Sequence, residues 1–114
     1  MGAGFRKESS AELKWRERRR GVRMNSRVRI AVEWQGPEGK EVRQETVTCM
    51  VSPYGCLVVL NHDLPLEQQV RLTNLDRGVQ LPAMVVWKGL ERAEGWEHGI
   101  ELQNPDMDFW GLDL

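Results

Sequence analysis

Long apolar runs, cysteine pairs and an export signal are all missing from this chain. No apolar stretch approaches the roughly 18 residues a helical membrane span needs, so a helical integral membrane role is excluded. Cys49 and Cys56 are the only cysteines. Two are too few for a disulfide-stapled secreted scaffold, and no CxxC set is present to hold a structural zinc. Residues 1–8 carry Arg6 and Lys7 with no apolar block behind them, so they do not read as a signal peptide and the expected compartment is the cytoplasm. Ser52 has no His–Asp company and does not lie in a nucleophile elbow. Neither histidine, His62 in a polar stretch or His98 in a β-like run, has a second metal ligand nearby in sequence; His62 reads as solvated and His98 as structural. With no catalytic constellation, no enzyme is expected. Internal repeats and low-complexity segments are absent too.

What is present is one small domain. The 114 residues fit a single core, and 40% hydrophobic with 29% charged residues is too apolar for a disordered chain. The net charge of −1 conceals a segregation. Residues 6–29 hold ten basic and three acidic side chains, a net +7, while the remainder holds six basic and fourteen acidic, a net −8. A basic arm on an acidic body points to an anionic partner for the arm; a solvated charged tail is the plainer alternative.

Residues 9–12 (Ser9-Ser10-Ala11-Glu12) form a capping box that could start a short helix ending near Arg20, before Gly21. Its apolar members, Ala11, Leu13 and Trp15, make no helical stripe, so it would pack weakly or be ordered by a partner. From residue 28 the apolar period becomes two. Strands are expected over 28–34, 45–51, 56–60, 70–74, 79–87 and 96–102, with a turn at 35–40 and a polar loop after Trp87. Pro82 suggests an edge or a bulge. Residues 105–114 fit one helical turn, with Phe109 and Trp110 closing an open end of the sheet. Six short strands with frequent turns imply an all-β fold, a closed or nearly closed antiparallel barrel. Leu57, Val59, Met84 and Val86 are expected in the core, with Val85 or Trp87 facing outward.

Ser52-Pro53-Tyr54-Gly55 reads as a tight turn, Pro53 presetting φ and Gly55 free to take positive φ. With that turn closing a hairpin, Val51 faces Cys56 and Cys49 faces Val58. The two cysteines are then diagonal neighbours roughly 7–8 Å apart, too far for an unstrained disulfide. Both read as small buried hydrophobes.

Three Arg-x-x-x-Arg pairs overlap: Arg16/Arg20, Arg19/Arg23 and Arg23/Arg27. A guanidinium grips phosphate or the O6/N7 edge of guanine with a planar fork of donors and can stack on a base. The middle pair sits where the arm meets the first strand. In order along the chain then come Ser52-Pro53-Tyr54-Gly55, Met84-Val85-Val86-Trp87 and His98-Gly99-Ile100-Glu101-Leu102. This set resembles the PilZ domain, the bacterial receptor module for cyclic di-GMP, whose pattern is RxxxR, then (D/N)xSxxG, then a V-x-W strand and a G-[IV]-x-[FL] strand. The resemblance runs from about Arg16 to Leu114. It implies a six-stranded antiparallel β-barrel with a basic N-terminal arm or short helix (residues 1–18), a barrel domain (19–114) and a short C-terminal tail.

The resemblance also implies a site. Arg19 and Arg23 would bind guanine edges and phosphates, Arg20 would add phosphate attraction, Ser52 would hydrogen-bond the ligand and Gly55 would let the backbone approach it. The implied ligand is cyclic di-GMP, with no cofactor or metal. The implied mechanism is an arm that folds across the nucleotide and changes the surface shown to a downstream protein. Met50 departs from the pattern, which has Asp or Asn there to accept from guanine N1–H or N2–H₂; methionine offers only a weak sulfur acceptor. The alternative function is therefore a protein-interaction module on the same scaffold that binds no nucleotide. Single-stranded nucleic acid, gripped by the arm with Trp15 as a stacking platform, is disfavoured by the −8 charge of the body.

Overall fold

A computed structural model describes residues 27–106 and 108–111. The regular structure there is β, with one 3-10 turn (Pro37–Gly39) in the first hairpin. The strands are β1 (Arg29–Gln35), β2 (Glu41–Val47), β3 (Met50–Ser52), β4 (Gly55–Leu60), β5 (Gln69–Asn74), β6 (Val79–Arg92) and β7 (Gly95–Leu102). They form one antiparallel sheet in the order β2-β1-β5-β6-β7-β4-β3.

That order forces curvature. β2 and β3 lie at opposite edges of the sheet, yet only Thr48 and Cys49 separate them in sequence. Laid flat, six inter-strand steps would part the edges by ~29 Å. Three Cα steps from Val47 to Met50 span at most about 11 Å. The sheet therefore curls, bringing β2 against β4 beyond the end of the short β3. There Asn61 N–H donates to Gln44 Oε1 at 2.9 Å and the Thr46 hydroxyl lies 3.5 Å from the Val59 carbonyl.

The single strand expected over 45–51 is thus two, and the described sheet has seven strands rather than six. The break is at Thr48, where the chain changes partners. Thr48 N–H donates to the Val28 carbonyl (3.0 Å) and its Oγ1 accepts from Val28 N–H (2.9 Å). One residue on, Cys49 N–H already donates to the Leu57 carbonyl of β4 (2.8 Å). A second difference lies in β6, which continues through Lys88–Arg92, expected as loop, and pairs as far as Arg92 with Gly95. Its register shifts between Val85 and Trp87 and again between Lys88 and Glu91. Pro82 sits just past the end of the β7 ladder, which stops at Ala83 opposite Leu102.

The enclosed core draws on six of the seven strands: Ile30 and Val32 from β1, Val51 from β3, Cys56, Val58 and Leu60 from β4, Leu72 from β5, Val85 from β6 and Ile100 from β7, with Val42 of β2 packed partly buried against it. Burying apolar side chains on this inner face is the main favourable term for a sheet. The β3–β4 register pairs Val51 with Cys56, as the hairpin reading requires. Since Cys56, Val58 and Leu60 take the inside of β4, Leu57 and Val59 fall on the outer face and are only half-buried, as is Met84 on β6; these three are not core. Val86 is buried at the first bulge, outside the main cluster, and Trp87 is half-buried and outward. Cys49, expected buried, is exposed because it lies at the corner between strands; Cys56 is buried.

Phe109 and Trp110 are buried, edge-to-face at 4.8 Å, at one end of the barrel. They sit in a hydrogen-bonded turn, Gly111 N–H to the Asp108 carbonyl at 3.1 Å, rather than a helical one. The opposite chain end, with the helix expected at 9–20, lies outside the described residues.

Candidate functional site

The turn between β3 and β4 is the part of the expected site that can be built from its atoms. Ser52 pairs with Gly55, leaving Pro53 and Tyr54 as a two-residue loop. Ser52 is buried, and its Oγ accepts a 3.1 Å hydrogen bond from Tyr54 N–H, a side-chain-to-backbone bond that fixes the bend. Pro53 supplies a preset φ at the first loop position.

Gly55 is needed for a reason other than the one expected. It is not among the positive-φ glycines. Instead, a Cβ built there would lie 2.0 Å from the Ile100 carbonyl oxygen and 2.9 Å from Glu101 Cα. The close approach is between β4 and β7, and only glycine permits it. It brings the turn against Leu102, whose N–H donates to the Tyr54 carbonyl at 2.7 Å.

Met50 stands two residues before Ser52 and pairs with Leu57. Following the ladders outward, Leu57 pairs with Gly99 and Gly99 with Trp87. This row on the outer face is apolar from end to end, with Met50, Leu57 and Trp87 all half-buried. The next outer row runs Ser52, Gly55, Glu101, Met84. Near Trp87, whose ring borders Gly89, the Glu97 carboxylate accepts from Leu90 N–H (3.1 Å) and is paired with Arg92. A polar acceptor expected at position 50 is thus replaced by a thioether in an apolar strip.

Arg19, Arg20 and Arg23 lie outside the described residues, so Ser52 and Gly55 are the two predicted site residues whose surroundings are visible. The structure does fix where their segment joins the barrel. Val28 is held on both sides by Thr48, which is two residues before Met50 and four before Ser52.

Other polar features lie away from the turn. A cleft of about 380 Å³ between β1, β2, β5 and β6 is lined by Glu33, Trp34, Glu41, Gln69 and Arg71 among others, and includes no predicted site residue. Its charges pair with one another: Arg71 lies 3.2 Å from Glu41 and 3.9 Å from Glu33. His98 is fully buried; its Nε2 accepts from Leu64 N–H at 3.1 Å, which leaves Nδ1–H to donate to the Trp96 carbonyl at 2.9 Å. Burial holds its pKa below the ordinary value, so it is a neutral structural histidine, as its sequence setting suggested. His62 is exposed and meets Trp34 edge-on at 5.1 Å. Among the described residues no group of three or more His, Cys, Asp or Glu is placed to hold a metal, and no helix is long and apolar enough to cross a membrane.

The described residues thus form a curled antiparallel sheet whose short β3–β4 turn depends on glycine. The family model for the PilZ domain matches residues 17–110, and the chain belongs to that family. PilZ domains are in general cyclic di-GMP receptors, binding and signalling modules rather than enzymes. No curated protein and no solved structure matches the chain.

Proposed function

We propose that this chain is a cyclic di-GMP receptor of the bacterial cytoplasm that passes the signal to a downstream protein. Arg19 and Arg23 grip guanine edges and phosphates, Arg20 adds charge, and the Ser52–Gly55 turn forms the opposite jaw. The observation that carries the reading is the double hydrogen bond between Val28 and Thr48. Arg23 is five residues before Val28, so an extended chain reaches up to ~17 Å from that anchor. The four residues from Thr48 to Ser52 cover about 13 Å in β geometry. Both jaws are therefore rooted at one point and within reach of one dinucleotide. The ligand's two phosphates suit the +7 segment, and its closure over the barrel would alter the outer surface.

Ser52 contributes through the bend it shapes and the hydroxyl hydrogen it has to offer. Met50 removes one acceptor for a guanine edge, a loss of about 1–3 kcal/mol or roughly 5- to 150-fold in affinity. Isothermal titration of cyclic di-GMP against the wild type and Arg23→Ala tests the reading. Binding by the wild type that is lost in the variant is expected; no heat at high-micromolar ligand, or equal heat from both, overturns it.

The apolar strip Met50–Leu57–Gly99–Trp87 favours one second reading, a PilZ-fold module that uses this face for a protein partner and binds no nucleotide. A partner captured equally well with and without cyclic di-GMP supports it. A long nucleic acid remains disfavoured by the acidic barrel.

A further inference from the structure

Three consecutive carbonyl oxygens of the β3–β4 turn are taken by one segment at the far end of the chain. Leu102 N–H donates to Tyr54 (2.7 Å), Asp106 N–H to Pro53 (3.0 Å) and the Trp110 indole Nε1–H to Ser52 (2.7 Å). The segment is anchored elsewhere as well. Asn74 Nδ2 donates to the Phe109 carbonyl (2.9 Å), Arg77 Nη1 to the Asp108 carbonyl (2.6 Å), and Phe109 and Trp110 are buried.

We propose that residues 102–110 are the positioning element of the ligand turn, and that Trp110 is its principal positioning residue. This rests on the receptor reading above. Within the loop the Ser52 Oγ–Tyr54 N–H bond sets the bend, and the external donors add a hold on the orientation of its peptide planes. With all three carbonyls held on the tail side, the Ser52 hydroxyl and the Tyr54 N–H that donates to it keep one arrangement before ligand arrives. Preorganisation of this kind lowers the ordering cost of binding. Linkage makes the effect reciprocal: a nucleotide that favours the ordered turn favours the docked tail by the same factor. The tail thereby couples the ligand turn to the β5–β6 turn at Asn74 and Arg77.

Trp110→Phe tests this, since it keeps a ring against Phe109 while removing the indole donor along with some buried volume. Cyclic di-GMP affinity by titration should fall about three- to tenfold, the effect of losing one buried hydrogen bond. In the ligand-free variant, amide exchange at Tyr54 and Gly55 should quicken. In the wild type, nucleotide should slow exchange of the Trp110 indole proton. Leu72→Val, in a strand whose ladder partners are β1 and β6, serves as a stability-matched control and should leave affinity unchanged. If Trp110→Phe fails to fold, Asp106→Pro removes the donor to Pro53 and is read the same way. Wild-type binding with unchanged affinity in these tail variants overturns the positioning role and leaves the receptor reading standing. Absence of binding by the wild type overturns the receptor reading itself, and the positioning role with it.

Discussion

His98 and Leu64 are joined by a hydrogen bond from a loop N–H to a buried imidazole Nε2, at 3.1 Å. The ring has a second bond through Nδ1 to Trp96, so both nitrogens are committed and a second ring proton would displace the loop. Because burial lowers the folded-state pKa below the unfolded 6.5, the unfolded chain takes up the proton first as pH falls. Stability from this residue is complete above pH 6.5 and declines as pH drops toward and through the folded value, by up to about 1.4 kcal/mol per pH unit. Urea denaturation at pH 8, 6.5 and 5 should show this slope in the wild type and lack it in His98→Leu.

Thr48→Val keeps the shape of the side chain and removes the oxygen that accepts from Val28 N–H. It leaves a buried donor unpaired at the strand corner, costing about 1–3 kcal/mol. Chemical denaturation measures the loss. A drop in cyclic di-GMP affinity is expected, because one of the two hydrogen bonds that fix the root of the arginine segment is lost.

Gly55→Ala places a methyl against the Ile100 carbonyl, and neither partner is a flexible side chain. β4 and β7 must separate locally, at about 1–3 kcal/mol as for overpacked cores. Loss of protection at the Leu102 amide, read by hydrogen exchange, is the specific signature.

Met50→Asp restores a carboxylate on the outer face beside the turn. Titration should show tighter cyclic di-GMP binding, by about 5- to 150-fold if the new acceptor reads a guanine edge. An unchanged constant would mean that position 50 does not face the base.

The two cysteines should differ in reactivity. Cys49 is exposed, whereas Cys56 is enclosed and burial pushes its thiol pKa up. A thiol reagent should therefore modify one equivalent in the folded protein and two in urea.

The sequence made much of this arrangement legible, and its silences have physical reasons. The Ser52–Gly55 hairpin was readable because proline, glycine and serine each fix a backbone feature, and its register then followed by counting. The break at Thr48 was hidden because threonine suits a strand as well as a corner. Leu57 and Val59 looked like core because an unbroken apolar run carries no sign of which alternate residues face in. Lys88–Arg92 looked like loop because a two-stranded extension in solvent needs no apolar face. The need for Gly55 was visible as an identity and invisible as a contact, since Ile100 is 45 positions away. The hydrogen bond from Trp110 to Ser52 spans 58 residues and left no local trace at all.

The two-residue link from β2 to β3 has one further effect. A sheet with free margins can unroll from either side, strand by strand, whereas here the two outermost staves are one continuous stretch of backbone. Neither can peel away without dragging the other, so fraying at the rim is a concerted event. Cleavage between Thr48 and Cys49 would leave the two margins joined through side-chain contacts, those of Gln44 with Asn61 and Thr46 with Val59.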